Sequence, residues 1–414
     1  MPTRTKLEEM EEALVRYPDF SPYILLKLSM VRYGAVLTDA ALDQLQSPLY
    51  SFGSLEPFGI DFEGRPAGRS MPGAILLRDA TNVYINYGET YDDPYVVDWD
   101  SDRNAFVLKE GDTLIDLVDF VPRPAFFGKK TSKGTPMEAV ADVRAQKLIL
   151  TAFQRCRLWE GGNQCGFCAF FTGGHSLGGG GCGDICETVK EALKEPGRFS
   201  EIYLSGGTDF SGDPPFSNEI DRYIRIFSAI SSMFSRRFSS QLMAPAYKKA
   251  DLERIYRETL IDSYCPNIEI WDKRLFQILC PGKEKWIGHD EWVKRTLEAV
   301  EVFGKGKVFT QVVAGAELAA PHGFSSVEEA LESNFEACDF YAKNGVIYLS
   351  TIWRPHRAAR LGFQPMPPLE YYIRLSKGLH EIRRQYGLYT TNDNYKHCGN
   401  HPDSELERLD SYDD

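Results

Sequence analysis

The chain has 414 residues, of which 43% are hydrophobic and 13% aromatic, and its formal net charge is −12. This length predicts a large core and about two to three domains. Net acidity without a long lysine or arginine run argues against a nucleic-acid partner. No apolar run approaches the roughly 18 residues that a membrane span requires. Nine cysteines without a secretion signal indicate a reducing, cytoplasmic setting with metal or thiol chemistry.

The first 140 residues combine helical segments with short strand candidates. The strand candidates fall at 74–78, 82–86, 95–98 and 105–108, with a hairpin turn at 98–104. We predict that residues 1–140 form a separate α+β domain that packs on the rest of the chain. The stretch 122–136 is rich in proline, glycine and lysine, which predicts a linker or flap.

From about residue 147 onward, apolar β-branched runs alternate with helical patterns. The apolar runs fall at 147–153, 202–205, 238–244, 267–271, 307–315 and 346–353. The helical patterns lie near 184–195, 218–234, 250–259, 290–303, 326–344 and 368–386. Six β–α units in series predict an α/β fold, a partial (β/α)6 TIM-like barrel over residues 141–389. Its functional groups should collect at the C-terminal ends of the strands.

The tail over residues 390–414 is acidic and polar, a composition that predicts disorder. His397, Cys398 and His401 lie in this tail. An unstructured segment is the favoured interpretation, with a metal site as the alternative.

Three cysteines lie in one loop directly after the first predicted barrel strand. Cys156, Cys165 and Cys168 have the spacing C-x8-C-x2-C. Three thiolates can bind three irons of a [4Fe–4S] cluster and leave the fourth iron open to chelate a small molecule. The spacing also fits three-quarters of a zinc site with His175 as the fourth ligand, or three unrelated buried thiols. On spacing alone the three interpretations stay open.

Three further strand ends carry groups that suit a ligand. Gly206 and Gly207, in the sequence SGGTD, allow a ligand to approach the backbone closely. Glu269 lies inside the apolar run NIEIW, where a carboxylate is costly unless it meets a cation or hydrogen-bond donors. The run QVVAGAE, which ends at Glu317, again combines an apolar strand, a glycine and a carboxylate.

Together these residues resemble the radical S-adenosylmethionine superfamily, and its biotin-synthase-like branch in particular, over roughly residues 147–386. The resemblance implies that Cys156, Cys165 and Cys168 hold a [4Fe–4S] cluster whose open iron chelates S-adenosylmethionine. The family's usual spacing is C-x3-C-x2-C, so the first interval here is five residues longer. Glycines at positions 161 and 162 make the longer loop flexible enough to close on one cluster.

The resemblance also implies a set of cofactor-binding residues. Phe167 matches an aromatic position near adenine, Gly206 and Gly207 match the motif that binds the methionine amino group, and Glu269 matches a polar position on the fourth strand. The fifth-strand motif that flanks adenine corresponds to Val313, Gly315 and Glu317. Thr208 and Asp209 complete the predicted set, and Asp209 either contacts ribose or substrate or caps the next turn.

The implied activity is that of a radical enzyme. One electron from a reductant such as flavodoxin or ferredoxin would pass through the cluster to S-adenosylmethionine, and the resulting 5′-deoxyadenosyl radical would abstract hydrogen from a small metabolite. Cleavage, rearrangement and sulfur insertion are all compatible with the sequence. The first domain or the 122–136 flap is the candidate lid that excludes water. Arg354 and His356 are candidate ligands for a substrate carboxylate or phosphate, or a surface pair.

Four other cysteines raise the question of a second cluster. Cys182, Cys186, Cys265 and Cys280 would supply it for sulfur insertion, but their spacing matches no compact ligand pattern, and structural thiols are favoured. The alternative function is a non-catalytic or electron-transfer iron–sulfur protein that retains the barrel. A zinc hydrolase is disfavoured, because the chain has 7 histidines and no H-x-H or HExxH pattern.

Overall fold

The computed structural model of the protein describes residues 4–45, 74–84, 93–144, 146–152, 155–169, 181–390 and 401–410. The predicted ligand His175 and the tail residues His397 and Cys398 lie outside these ranges. Within them, no helix combines the length and the apolar character that crossing a membrane requires.

The N-terminal part contains three helices and a six-stranded sheet. Its elements in chain order are α1 (Lys6–Arg16), α2 (Pro22–Tyr33), β1 (Ala35–Leu37), α3 (Asp39–Leu45), β2 (Ile75–Leu77), β3 (Asn82–Val83), β4 (Tyr95–Asp100), β5 (Ala105–Glu110) and β6 (Thr113–Phe120). The strand order is β1-β4-β5-β6-β2-β3. β4, β5 and β6 form an antiparallel meander, and the turn predicted between β4 and β5 is present. The sequence analysis missed β1 and β6.

The rest of the chain forms a seven-stranded sheet covered by helices. Its strands are β7 (Ala141–Arg144), β8 (Lys147–Thr151), β9 (Glu201–Ser205), β10 (Ser240–Met243), β11 (Ser263–Cys265), β12 (Val308–Ala314) and β13 (Val346–Ile352). The strands lie in chain order from β7 to β13. β8 to β13 are all parallel, and β7 is an antiparallel edge strand. The predicted partial (β/α)6 barrel is confirmed.

Eight helices accompany these strands. They are α4 (Cys182–Ala192), α5 (Ser217–Ser231), α6 (Lys249–Glu258), α7 (Lys273–Leu279), α8 (Pro281–Trp286), α9 (His289–Phe303), α10 (Val327–Lys343) and α11 (Leu369–Gln385). The short helices α7 and α8 were not predicted. They lie between β11 and α9 and, as shown below, contribute side chains to the site.

The prediction for the fourth barrel strand was wrong in position. The regular strand is β11, and it ends immediately before Pro266, which has no N–H to donate to a sheet ladder. Residues 267–271 continue along β12 through one parallel bridge, between Glu269 and Val312. Glu269 therefore follows a strand end instead of lying within a strand.

The predicted disorder of the tail was wrong for residues 401–410. Helix α12 (Pro402–Asp410) packs on α11 and on β13, the open edge of the half-barrel. The Ser350 N–H donates to Asp403 Oδ1 at 3.2 Å, and His401 Nδ1 lies 2.8 Å from the Ser350 carbonyl oxygen. Asp403 also pairs with the buried Arg383 at 2.6 Å. The tail packs on the barrel because it provides hydrogen-bond partners for the edge strand β13 and a negative charge for the buried Arg383.

The stretch 122–136 lies against α4. The Thr131 hydroxyl donates to Asp184 at 2.6 Å, the Ser132 N–H donates to Glu187 at 2.6 Å, and Lys129 pairs with Glu191 at 2.8 Å. These contacts fix the stretch to the helix that follows the cysteine-bearing segment. Its role as a flap stays a prediction.

Candidate cluster and cofactor site

A cavity of about 260 Å³ lies at the C-terminal ends of β8 to β11. It is lined by eight of the predicted site residues, which are Cys156, Cys165, Cys168, Phe167, Gly206, Gly207, Thr208 and Glu269. Met243, Asn267, Lys283 and Trp292 are among the other residues of its wall. Because parallel strands place their C-terminal ends at one edge, segments more than 100 residues apart in sequence meet here.

The cysteine loop, residues 156–168, has a defined conformation. Its first part, Arg157–Gly162, is a kinked 3-10 segment whose helical geometry is broken at Glu160 and Gly161, and Gly161 and Gly162 have φ values of 68° and 74°. Side chains with a Cβ rarely adopt such left-handed angles, so these glycines reverse the chain toward the second and third cysteines. The five additional residues between Cys156 and Cys165 are therefore accommodated by a specific turn at these glycines, and not by the loop flexibility that the sequence analysis expected.

Backbone hydrogen bonds hold the cysteine loop on two sides. The Gly166 N–H donates to the Leu279 carbonyl at 2.7 Å, and the Gly282 N–H donates to the Asn163 carbonyl at 3.0 Å. The Leu361 N–H donates to the Gly166 carbonyl at 2.8 Å. The loop is therefore fixed by the α7–α8 junction and by the segment after β13.

The loop that follows β9 packs directly on the first cysteine. The Arg157 N–H donates to the Thr208 carbonyl at 2.8 Å, and the Thr208 N–H points to Cys156 Sγ at 3.4 Å. A Cβ on Gly207 would lie 2.3 Å from the Arg155 carbonyl oxygen. Gly207 is required here because two backbone segments touch, which is a structural reason beyond the predicted approach of a ligand.

The thiols of the loop lie in different electrostatic environments. Burial raises the pKa of Cys156, and the hydrogen bond from Thr208 opposes that shift. A hydrogen bond from Cys280 lowers the pKa of Cys165, against the effect of burial and with help from the Lys283 charge. Cys280 is itself fully buried, and burial raises its pKa. The Cys165 thiol therefore ionises more readily than the Cys280 thiol.

Glu269 and Lys283 form an ion pair at the cavity wall. Lys283 Nζ donates to Glu269 Oε1 and to the Asn267 carbonyl, both at 2.8 Å, and lies 4.5 Å from the centre of the Trp292 ring. Glu269 has a φ of 65°, although it is not glycine. Its N–H and carbonyl are held by Gln311 and Val313 of β12, which keeps this uncommon conformation. Burial lowers the pKa of Lys283, but the Glu269 charge and the nearby thiols raise it overall.

A buried carboxyl group, that of Glu219, supports the loop that follows β9. Glu219 of α5 is fully buried and accepts hydrogen bonds from the Asp209 N–H and the Tyr247 hydroxyl. Burial raises the pKa of Glu219 to about 8, so the carboxyl is mostly protonated at neutral pH. This buried acid fixes the end of the loop after β9.

The remaining predicted cofactor residues are not among those that line the cavity. The Asp209 carboxylate accepts from the Ser211 N–H at 3.0 Å and from Arg157 at 3.3 Å, which organises its own loop. Glu317 is buried against the helices, where it accepts from the Gly315 N–H at 2.8 Å and from Asn334 at 3.0 Å. Val313 belongs to β12, and Gly315, with a φ of 103°, begins the turn that carries Glu317 away.

Arg354 and His356 lie after β13, near the seam between the two edges of the half-barrel. The Tyr84 ring lies 4.3 Å from the Arg354 guanidinium carbon and 4.9 Å from that of Arg144, which belongs to the opposite edge strand, β7. The Tyr84 hydroxyl is buried, and none of the residues that the structure describes forms a hydrogen bond with it. His356 is buried, and its Nδ1 accepts from the Ala358 N–H at 3.0 Å. A tyrosine of the N-terminal part thus bridges both edges of the barrel.

The thiols of the cysteine loop can be compared with the needs of a single metal ion and of an iron–sulfur cluster. Among the residues that the structure describes, no three cysteine, histidine or acidic side chains converge on one point as ligands of one metal ion must. A [4Fe–4S] cluster places its three cysteine ligands on three different irons, so the thiolates need only surround a shared space. Cys156, Cys165 and Cys168 do surround one cavity.

The four auxiliary cysteines do not form a second metal-binding group within the described ranges. Cys182 and Cys186 lie on α4, Cys265 Sγ lies 3.0 Å from Asn267 Oδ1, and Cys280 contacts Cys165. The favoured interpretation of these four cysteines as structural thiols stays a prediction.

The sequence analysis missed Lys283, Trp292 and the position of Cys280. Lys283 and Cys280 lie in or beside the two unpredicted helices, where six or seven residues are too few for a clear apolar period. The Cys-Pro-Gly sequence at 280–282 was the available signal, since proline often begins a helix and this glycine permits close backbone contact.

Neither family models nor curated proteins match this sequence. Solved structures with a similar arrangement include HydG, the [FeFe]-hydrogenase maturase from Carboxydothermus hydrogenoformans, at 14% identity and a TM-score of 0.42. This comparison covers 59% of the present chain and 53% of HydG. A radical SAM methyltransferase from Sphaerobacter thermophilus has 14% identity and a TM-score of 0.40, with coverage of 73% and 79%. The cobalamin-dependent enzyme OxsB has 12% identity and a TM-score of 0.33. That comparison covers 64% of the present chain and 35% of OxsB. The chain spans about half the length of the HydG protein.

Proposed function

We propose that this protein is a radical S-adenosylmethionine enzyme that acts on a small molecule. The observation that carries the proposal is one cavity in which Cys156, Cys165 and Cys168 face Gly206, Gly207 and Glu269. When bound, a [4Fe–4S] cluster and S-adenosylmethionine would supply a 5′-deoxyadenosyl radical for hydrogen abstraction. The biotin-synthase-like branch and a cytoplasmic setting with a flavodoxin or ferredoxin reductant belong to the same proposal.

The Glu269–Lys283 pair suits the amino-acid end of the cofactor. That end is a zwitterion, with an ammonium and a carboxylate on one carbon, and the cavity wall offers one charge of each sign. The side chains are only 16% and 11% exposed, so exchange of their mutual contact for contacts with the ligand takes place largely away from water. Phe167 and Thr208 are the proposed neighbours of the adenosine part.

The barrel seam supports a substrate with an anionic group. Arg354 and Arg144 both lie against the Tyr84 ring, and no residue in the described part of the chain hydrogen-bonds with the buried Tyr84 hydroxyl. Guanidinium groups and a hydroxyl are suited to a carboxylate or phosphate. Arg354 and His356 therefore remain the proposed substrate-binding residues, with the N-terminal part as the lid over the mouth of the barrel.

The electron-transfer alternative has one observation in its favour, because Cys280 is a fourth cysteine beside the predicted ligands. A cluster with four cysteine ligands has no open iron for S-adenosylmethionine. Cys280 has no exposed surface and is not among the residues that line the cavity. Because Cys280 is buried and does not line the cavity, the enzymatic proposal is favoured.

The test is anaerobic reconstitution with iron and sulfide, followed by addition of S-adenosylmethionine. We expect the electron paramagnetic resonance spectrum of the reduced cluster to change on addition of the cofactor, and 5′-deoxyadenosine to form slowly with dithionite. The Cys280→Ser variant should behave as the wild type. The opposite outcome is a cluster spectrum that does not change with S-adenosylmethionine in the wild type but does change in Cys280→Ser. That outcome would establish the electron-transfer alternative instead.

A further inference from the structure

Cys280 and Cys165 are thiols of two separate segments held face to face. Their side chains lie close enough for each thiol to influence the other, and neither is in a disulfide. Cys165 lines the cavity, whereas Cys280 is completely buried behind it. The contact joins a predicted cluster ligand to a cysteine that the proposed function does not use.

The backbone fixes this pairing independently of the side chains. The segments around the two cysteines run antiparallel, with Asn163 facing Gly282 and Gly166 facing Leu279 through the hydrogen bonds given above. Position 165 therefore falls opposite position 280. These two hydrogen bonds flank the pair on both sides and hold the two backbones together there, and a disulfide requires Cα atoms roughly 4.4–6.8 Å apart. A Cβ on Gly282 would lie 2.6 Å from the Asn163 carbonyl oxygen, so the close approach depends on this glycine.

We propose that Cys165 and Cys280 form a reversible disulfide when the cavity holds no cluster, and that this bond protects the ligand thiol from irreversible oxidation. The inference uses the proposed function only in naming Cys165 as a cluster ligand. Cys165 is the thiol that a small oxidant such as hydrogen peroxide meets from the cavity, and Cys280 is the resolving thiol behind it.

The chemistry balances with one peroxide per disulfide. The Cys165 sulfur attacks one peroxide oxygen, the O–O bond breaks, and the leaving hydroxide takes the thiol proton to become water. This oxidises Cys165 to a sulfenic acid. The Cys280 sulfur then attacks the Cys165 sulfur, so an S–S bond forms while the S–O bond breaks and a second water leaves. Two thiols are oxidised, and one peroxide is reduced to two waters.

The first experiment maps disulfides in metal-free protein after one equivalent of hydrogen peroxide, under non-reducing conditions. We expect the peptide that contains Cys165 to be linked to the peptide that contains Cys280, and dithiothreitol to release both. Cys280→Ser should show no such link and should carry sulfenic acid at Cys165, which a second equivalent of peroxide oxidises to sulfinic acid. Cys338→Ser, which alters a buried thiol on α10, is the matched control and should pair as the wild type.

The second measurement is iron uptake after two equivalents of peroxide, which suffice to form sulfinic acid at an unprotected thiol, and then dithiothreitol. The wild type should recover at least about nine-tenths of its iron binding, while Cys280→Ser should lose more than half, because sulfinic acid is not reduced by thiols. A dominant Cys165–Cys168 or Cys156–Cys165 bond, or equal recovery in both proteins, would overturn the proposal. A chain that never binds iron would refute the cluster assignment, yet the disulfide map would still decide the pairing.

Discussion

Two regions of the barrel edge each have a carboxylate residue after a strand, but the structure places the two carboxylates differently. Glu269 follows β11 and Glu317 follows β12, and each comes after an apolar run. Glu269 opens on the cavity beside the cysteines, held there by its own left-handed backbone. Glu317 lies among α10 and α11, because the left-handed Gly315 turns the chain into a short helix. A carboxylate at a strand end is therefore a site candidate only when the local backbone directs it into the barrel mouth.

The largest expected effect is on stability, in the region of Glu317. Glu317→Ala leaves the Gly315 N–H, the Asn334 amide and the Tyr371 hydroxyl without their shared acceptor in a buried place. At roughly 1–3 kcal/mol for each unpaired buried group, we expect the free energy of unfolding to fall by about 3–5 kcal/mol. Urea denaturation of the metal-free protein measures this loss.

The control for that variant is Glu328→Ala on α10, which removes an exposed partner of Arg374 on α11. Its effect should stay below about 1 kcal/mol, as is usual for surface ion pairs. If Glu317→Ala kept its stability but lost affinity for S-adenosylmethionine, Glu317 would belong to the cavity and the comparison with Glu269 would fail.

The next effect concerns the pH dependence that Glu219 imposes behind the cavity. Its pKa is about 8 in the folded protein and near 4.5 as a free side chain. The folded state therefore holds a proton that the unfolded chain releases between these values. The stability linked to Glu219 is fully present below about pH 4.5 and is lost as pH rises toward 8.

Glu219→Gln should remove this contribution and flatten the profile. Each unit of pKa shift corresponds to about 1.4 kcal/mol, so the wild-type free energy of unfolding should fall by up to about 4 kcal/mol more than that of the variant between pH 5 and 8. Burial also raises the pKa of Glu317, so some slope of the same sign should persist. Parallel profiles for the two proteins would show that Glu219 is ionised in the fold.

The smallest effect is on affinity, in the region of Glu269. Glu269→Gln keeps the shape but removes the negative charge that faces Lys283. We expect about tenfold weaker binding of S-adenosylmethionine to the cluster-loaded protein, which is about 1.4 kcal/mol. Equilibrium dialysis measures the affinity, and an unchanged cluster spectrum checks that the site is intact.

Glu317→Gln is the matched variant on the neighbouring strand and should leave the affinity unaltered. Equal weakening in the two glutamine variants would remove the distinction between the two strand ends. Unaltered affinity in Glu269→Gln alone would exclude Glu269 from the cofactor site.

The barrel and its cysteine edge could be predicted because their signals are local. Apolar runs such as that of β12 and glycine-ended helices repeat in sequence, and Cys156, Cys165 and Cys168 lie within one loop. The destinations of Glu317 and Asp209 could not be predicted, since they depend on φ angles at single residues and on partners far along the chain. The pairing of Cys280 with Cys165 depends on a backbone crossing between segments that share no periodic signal.

The tail illustrates a second limit of sequence patterns. Its acidic composition predicts disorder, yet Asp403 and Glu405 are buried in ion pairs with Arg383 and Lys27. The composition of a segment indicates how much apolar surface it can bury. It does not show whether buried cations elsewhere in the fold are available to pair with its carboxylates. The open edge of β13 is likewise visible only in three dimensions.

The most direct measurement of the central claim is iron and sulfide analysis of two multiple variants after identical anaerobic reconstitution. One replaces Cys156, Cys165 and Cys168 by alanine, and the other replaces Cys182 and Cys186 on α4. Three cysteine ligands to one [4Fe–4S] cluster predict that the first variant loses about four irons per chain and that the second keeps them. Full iron content in the first variant would contradict the assignment of the cavity, and a loss of about half the iron in the second would reveal another cluster at α4.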